Sequence, residues 1–194
     1  KMGLPLAAVY GDVTGNVIGA DIDPEVVETL ERGESHIDGE PGLNGLISDL
    51  VADGAFRAVE DPSEAAATAA IHVIIVPTLI DENNEPDLSL LRAVGESIGS
   101  QLDGGDLVIV ESTVPPQTSR SVTLPILETQ SGLSLGDFGL AFCPERTASG
   151  RALQDIRGAY PKIVGGADTA STTAARIIYE EINSAGVLPT SDIT

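Results

Sequence analysis

Short β-rich apolar runs alternate along this chain with longer helical segments, and that alternation restricts the possible folds more than any other feature. It is the pattern of a parallel sheet covered by helices on both faces, because parallel neighbours need a long crossover between them. Strands are predicted at residues 17–21, 55–59, 72–76, 107–111, 139–143 and 162–164. Helices are predicted at 4–10, 25–31, 43–53, 63–69, 88–102, 118–129 and 169–182. Asp23 before Pro24, and Asp61 before Pro62, each set a capping acid ahead of a proline suited to a first helical turn. The runs at 72–76 and 107–111 are almost wholly aliphatic and predict mid-sheet strands buried on both faces. The most polar stretch, residues 81–87, predicts a surface loop leading to a helix capped by Asp87. With no internal repeat and no low-complexity linker, the expectation is one compact α/β domain, a doubly wound parallel sheet, over residues 1–194. Its opening, Lys1-Met2-Gly3-Leu4-Pro5, looks like the start of a helix with no strand before it, so the first strand of such a sheet is expected to be missing.

Composition narrows the class of partner. Thirty acidic against ten basic residues give a net charge of −20, which repels nucleic acid and anionic membranes. The acids are dispersed, and only Lys1 and Lys162 are lysines, so the expectation is a solvated acidic surface of the kind that suits a salt-rich cytoplasm. The longest apolar stretch, residues 71–80, is interrupted by His72 and Pro77 and falls short of the roughly 20 residues of a membrane span. A secretory signal is not visible either. Cys143, the single cysteine, cannot form an internal disulfide, and no Cys/His spacing suits a metal, so a reducing compartment and no structural metal are expected. His72 within an apolar strand reads as a satisfied core or edge residue, and His36 as a loop residue.

Ligands of open parallel sheets bind beyond the carboxyl ends of the strands, which makes the residues after each strand the candidates. Asp21 ends the strand at 17–21, where an acid can accept the hydroxyls of an adenosine ribose and repel a 2′-phosphate; alone, it reads equally well as a turn residue. Its distance from Gly3, eighteen residues, is close to that expected after a glycine fingerprint, although the full G-x-G-x-x-G is absent. Pro77-Thr78 follow the strand at 72–76, and Ser112-Thr113-Val114-Pro115-Pro116-Gln117-Thr118 follow the strand at 107–111. Both offer hydroxyls that can serve a cofactor or simply cap a helix. Pro144-Glu145-Arg146 follow the strand at 139–143, where Glu145 can act as a general acid or base and Arg146 can hold a phosphate, or the two can form a surface ion pair.

Taken in order, Gly3-Leu4-Pro5-Leu6-Ala7, Gly19-Ala20-Asp21-Ile22-Asp23, Arg32-Gly33-Glu34 through Glu40-Pro41-Gly42-Leu43, Val76-Pro77-Thr78, Glu111-Ser112-Thr113-Val114-Pro115-Pro116, Pro144-Glu145-Arg146 and Val164-Gly165-Gly166 span almost the whole chain. In that order the chain resembles the UDP-glucose/GDP-mannose dehydrogenases, which oxidise the C6 alcohol of a nucleotide sugar to a carboxylate. The resemblance implies a Rossmann-type NAD-binding domain in which Gly3 is the last fingerprint glycine, Asp21 binds the adenosine ribose, and Pro77, Thr78, Ser112 and Thr113 line the NAD site. It further implies that Thr118 helps hold the catalytic water and that Glu145 assists hydrolysis of a thioester. Family chemistry runs through alcohol oxidation, capture of the aldehyde by a cysteine, a second hydride transfer and thioester hydrolysis. Pro-Glu-Arg, with Arg146 as a substrate-binding candidate, resembles the branch acting on UDP-N-acetylhexosamines such as UDP-N-acetylmannosamine; UDP-glucose is the alternative sugar.

Several family features are not found between Lys1 and Thr194: the first two fingerprint glycines, the catalytic cysteine, and the substrate-domain lysine and asparagine. Cys143, inside a predicted strand, reads as a packed thiol instead. The expectation is therefore a cofactor domain that is inactive by itself, with the family's dimer-forming central helix beyond Thr194. Gln117 stands where the family commonly has glycine, which leaves the local backbone geometry open. Two competing functions are a 3-hydroxyacid or phosphogluconate-type dehydrogenase and a module that keeps NAD only as a structural or regulatory ligand.

Overall fold

The computed structural model describes residues 2–193; Lys1 and Thr194 lie outside the described residues. In chain order the elements are α1 (Gly3–Thr14), β1 (Val17–Ala20), α2 (Pro24–Glu31), α3 (Leu43–Ala52), β2 (Phe56–Val59), α4 (Pro62–Ala66), β3 (Ile71–Ile74), β4 (Leu79–Ile80), β5 (Pro86–Asp87), α5 (Ser89–Gly99) and β6 (Leu107–Val110). They continue with a π-helical turn (Ser119–Thr123), α6 (Leu124–Ser131), β7 (Gly139–Phe142), α7 (Ala152–Gln154), a second π-helical turn (Asp155–Ala159), β8 (Lys162–Gly166), α8 (Thr169–Ile182) and β9 (Val187–Pro189). The chain forms two compact units.

Unit 1 comprises Lys1–Ala65, Arg146–Pro161 and Glu180–Gly186. Its strands β1 and β2 are parallel, with Val17 opposite Phe56 and Ala20 opposite Val59. Leu4, Ala8, Val27, Leu30, Leu43, Ile47, Leu50 and Phe56 come from α1, α2, α3 and β2 to form its core. Asp23 caps α2 as the sequence predicts: its carboxylate accepts the Glu25 amide at 3.0 Å, and Pro24 opens the helix. A second carboxylate, Glu40, is buried and accepts the amides of Gly150 at 3.0 Å and Leu153 at 3.2 Å, which ties residues distant in sequence into one body.

Unit 2 comprises Ala66–Glu145, Lys162–Tyr179 and Val187–Thr194. Its sheet has the order β3-β6-β7-β8-β9. Strands β3, β6 and β7 are parallel neighbours, and β8 and β9 are parallel to each other. The expected all-parallel sheet fails at one junction: β8 runs antiparallel to β7, with Ala141 opposite Gly166 and Phe142 opposite Gly165. The segment between them contains only the three-residue α7 and a five-residue π turn. With no long helix to carry the chain back across the sheet, it folds back and runs the other way. The observed class is thus mixed α/β with a mainly parallel sheet.

All four residues of β6 are buried, as expected of an inner strand. Among the described residues β3, expected mid-sheet, has β6 as its ladder neighbour, and its Ile71 is exposed. The core combines Ile74, Val108, Val110 and Leu140 from the strands with Leu91, Ile98 and Leu127 from α5 and α6. Those helices approach closely because residue 99 is glycine; a Cβ there would stand 2.8 Å from Gln130 Cβ. Gly165 and Gly166 meet a tighter limit, since a Cβ would strike the Asp192 carbonyl at the first and the Thr172 amide at the second. The Val-Gly-Gly motif is accordingly a packing requirement.

Three local departures have identifiable causes. Residues 81–87 are not a plain loop: Leu79 pairs with Asp87 and Ile80 with Pro86, and Asp81 accepts the amides of Asn83 at 2.8 Å and Glu85 at 2.9 Å to close the hairpin. Asp87 does serve the next helix, accepting the Ser89 amide at 2.8 Å. The single helix expected at 118–129 divides into the π turn and α6, with the Leu124 amide donating to Ser119 O. Pro125 has no amide to continue the ladder, and the turn before it widens. Gln117 takes a left-handed backbone, φ 72, the conformation that favours the glycine it replaces. Replacing Gln117 with glycine should therefore stabilise the protein by about 0.5–1 kcal/mol, whereas valine should destabilise it by about 1–2 kcal/mol. Urea denaturation measures both, and equal midpoints for the two variants would contradict the assigned strain.

Candidate functional site

In unit 2 the parallel strands β3, β6 and β7 end on one edge, which sets Pro77-Thr78, Ser112-Thr113 and Pro144-Glu145 beside one another. Hydrogen bonds join these strand tips: Ser112 donates from Oγ to Val76 O at 2.7 Å and from its amide to Ile74 O at 3.3 Å, and the Glu145 amide donates to Glu111 O at 3.3 Å. Thr113 and Pro77 are exposed and Thr78 is half-buried. Thr118 is buried at the head of the π turn, its amide donating to Pro115 O at 3.2 Å.

Behind this edge lies a cluster of charges. Glu111, the residue after β6, has a completely buried side chain. Lys162, the first residue of β8, donates from Nζ to Glu111 Oε2 at 2.9 Å and to Glu145 Oε2 at 3.2 Å. The Tyr179 hydroxyl of α8 donates to Glu111 Oε1, and Lys162 Nζ stands 4.9 Å from the centre of the Tyr179 ring. Burial pushes the Glu111 carboxyl up to about 7, against the opposing pull of Lys162 and Tyr179. Burial also works against the Lys162 ammonium, but the charges of Glu111 and Glu145 outweigh it and raise its pKa. Burial raises the Cys143 thiol, which is wholly enclosed, so this cysteine is an inert packed side chain.

Unit 1 carries the other candidates. Asp21 follows β1 directly, is exposed, and accepts the Asp23 amide at 3.1 Å through Oδ1. It therefore shapes the turn into α2 while presenting its carboxylate to solvent beside Ile22, which is 75% exposed. Gly3 is the first residue of α1. The Arg146 guanidinium donates to Pro161 O and lies 4.6 Å from the centre of the Tyr160 ring.

Sequence reasoning missed Glu111, Lys162 and Tyr179 as a group. One signal existed: a lysine opening an apolar strand, in a chain with only two lysines, is out of place unless something pairs with it. His72, by contrast, is the satisfied residue expected, buried with Nε2 3.3 Å from Asp106 Oδ2. Burial lowers its pKa despite that contact.

The family model for the UDP-glucose/GDP-mannose dehydrogenase family, NAD binding domain, matches residues 1–183. The chain belongs to this family. An NDP-N-acetyl-D-galactosaminuronic acid dehydrogenase of Ralstonia solanacearum is 33% identical over 186 residues, 92% of this chain and 43% of that protein. A UDP-N-acetyl-D-mannosamine dehydrogenase of Campylobacter jejuni is 35% identical over 163 residues, 80% of this chain and 39% of that protein. Among solved structures, an NDP-N-acetyl-D-galactosaminuronic acid dehydrogenase from Methanosarcina mazei Go1 superposes with a TM-score of 0.91 at 36% identity, over 98% of this chain and 42% of that one. The chain thus spans less than half the length of these relatives. No helix among the described residues is long and apolar enough to cross a membrane.

The Glu111 geometry has a consequence for stability. Its carboxyl has a reference value of 4.5 and is raised to about 7 in the fold, so between those values the folded state binds the extra proton. Its contribution to stability is complete below pH 4.5 and is lost as pH rises through about 7. Glu111→Gln should abolish that loss, narrowing a difference of up to about 3 kcal/mol between acidic and neutral pH. Parallel urea denaturation of both proteins from pH 4.5 to 8 tests it, and identical pH dependence in the two would exclude Glu111 as the group responsible.

Proposed function

We propose that this chain is the cofactor-binding part of an NAD-dependent nucleotide-sugar 6-dehydrogenase that oxidises the C6 alcohol of a UDP-N-acetylhexosamine to the carboxylate. The observation that carries this reading is the carboxylate of Glu145, held at the carboxyl edge of the sheet by Lys162 and flanked by the hydroxyl-bearing strand tips. The family and the Pro-Glu-Arg sequence support the same reading. The relatives named above are dehydrogenases of N-acetylated sugars, which favours that sugar class over UDP-glucose.

Each unit by itself offers donors that suit part of NAD. Asp21 offers an exposed carboxylate that suits the hydroxyls of the adenosine ribose and disfavours a 2′-phosphate. Gly3 opens a helix without a side chain to obstruct a pyrophosphate, and Pro77, Thr78, Ser112 and Thr113 supply the polar edge of the nicotinamide side. Bound NAD supplies the hydride acceptor for both oxidations. Thr118 orients the water that ends the reaction, Glu145 takes its proton as that water attacks an enzyme-bound thioester, and Arg146 holds substrate charge. We assign the protein to a reducing cytoplasm and a homodimer, which accord with its acidity, its lone buried thiol and the family resemblance.

The full-length protein should form two NADH per sugar with UDP-N-acetylmannosamine or UDP-N-acetylgalactosamine, and much less with UDP-glucose. One NADH per sugar points to a simple alcohol dehydrogenase, and none to a binding module. Asp21→Ala should weaken NAD binding by roughly tenfold to a hundredfold and narrow the preference over NADP. Calorimetric titration with both dinucleotides measures this, and an unaltered ratio removes Asp21 from the site.

A further inference from the structure

Glu145 is the member of the buried cluster that reaches the surface: its side chain keeps 12% exposure, against none for Glu111. A glutamate at a strand end has three rotatable bonds, and a carboxylate that must meet one water molecule needs to be aimed. Lys162 supplies the restraint. Its ammonium is fixed from behind by Glu111, which is held in turn by the Tyr179 hydroxyl, and it is presented in front to Glu145 Oε2. The ends of β6 and β7, the start of β8 and α8 each bring one of its members.

We propose that Lys162, anchored by Glu111 and Tyr179, is a positioning residue that holds the Glu145 carboxylate ionised and aimed for the hydrolytic step. This rests on the role in hydrolysis assigned to Glu145. Lys162 stands between two carboxylates, Glu111 behind and Glu145 in front. As the water oxygen bonds to the acyl carbon, the bond to sulfur breaks, the sulfur leaves as the thiolate, and the proton released by water rests on Glu145. The groups facing Lys162 are Glu111 after β6, Cys143 and Glu145 after β7, and Tyr179 on α8. Of these, Glu111 carries a charge that responds to pH near neutrality.

The test uses the full-length protein, UDP-N-acetylmannosamine or UDP-N-acetylgalactosamine, and NAD. Lys162→Met should lower kcat on the order of tenfold to a hundredfold with KM changed by less than about twofold. It should leave the first hydride transfer intact in a single turnover, accumulate a covalent intermediate visible by mass spectrometry, and move the acid limb of the kcat profile to higher pH, because the cation beside Glu145 is gone. Lys162→Arg, which keeps the charge, should recover most of the rate and the position of the limb. Glu111→Gln, which leaves Lys162 a neutral and weaker anchor at every pH, should lower kcat severalfold above about pH 7, where Glu111 itself is ionised, and accumulate the same intermediate; it decides the matter if Lys162→Met does not fold. Glu111→Gln with a wild-type kcat and no intermediate above about pH 7, or Lys162→Met with a wild-type limb and no intermediate, overturns the proposal. Glu145→Gln separates the two levels. If it accumulates the intermediate while the Lys162 and Glu111 variants behave as wild type, only the positioning role is lost; if it turns over normally, the role of Glu145 itself has failed.

Discussion

One ammonium group sits between two carboxylates behind the strand tips of unit 2, and the edge of that sheet is organised around it. Lys162 cannot be left alone in its position, because an unpaired buried ammonium would be neutralised or the fold would open; removing one partner of such a pair generally costs about 3–5 kcal/mol. Glu111 answers it from the end of β6 and Glu145 from beyond the end of β7. Three strands are thereby cross-linked at their functional ends by side chains, in addition to their backbone ladders. The arrangement is less a source of net stability than of definition, since a charge cluster tolerates far fewer geometries than an apolar contact of the same size.

The direction of β8 makes the cluster possible. Had β8 run parallel to β7, Lys162 at its start would lie at the amino edge, with β7's length separating it from Glu145. Because the strand runs back from the carboxyl end of β7, its first residue arrives where the parallel strands terminate. Gly165 and Gly166 then allow the remainder of β8 to pass close under the 190–192 segment and the start of α8. Tyr179, two turns further along that helix, is returned to the cluster and closes it against Glu111.

Some elements are legible in the sequence and others are not, according to how far their determinants lie along the chain. Every main strand of the reading from residue 17 onward exists within two residues of its expected bounds, because aliphatic runs bounded by glycine, proline and acids answer to local physics. Asp23 caps its helix as predicted, while Asp87 stands one residue ahead of the cap position, Leu88, and accepts the Ser89 amide. The β4–β5 hairpin was read as a loop because Asp81 closes it with side-chain acceptors that leave no apolar alternation to detect. The π turn before α6 was read as ordinary helix because one proline shifts a single hydrogen bond without altering the hydrophobic pattern.

Sequence by itself determined the alternation of strand and helix, the acids and hydroxyls that end the strands, the family resemblance, and the acidic surface. These depend on neighbours within a few residues or on simple counts. Tertiary structure alone decided that β8 runs antiparallel, that Gln117 occupies a left-handed turn, and that Lys162 joins Glu111, Glu145 and Tyr179. Residues 111 and 162 are separated by 51 positions, and no local propensity encodes their meeting. What brings them together is the cost of burying a charge without its partner, and that cost exists only once the sheet has closed around it.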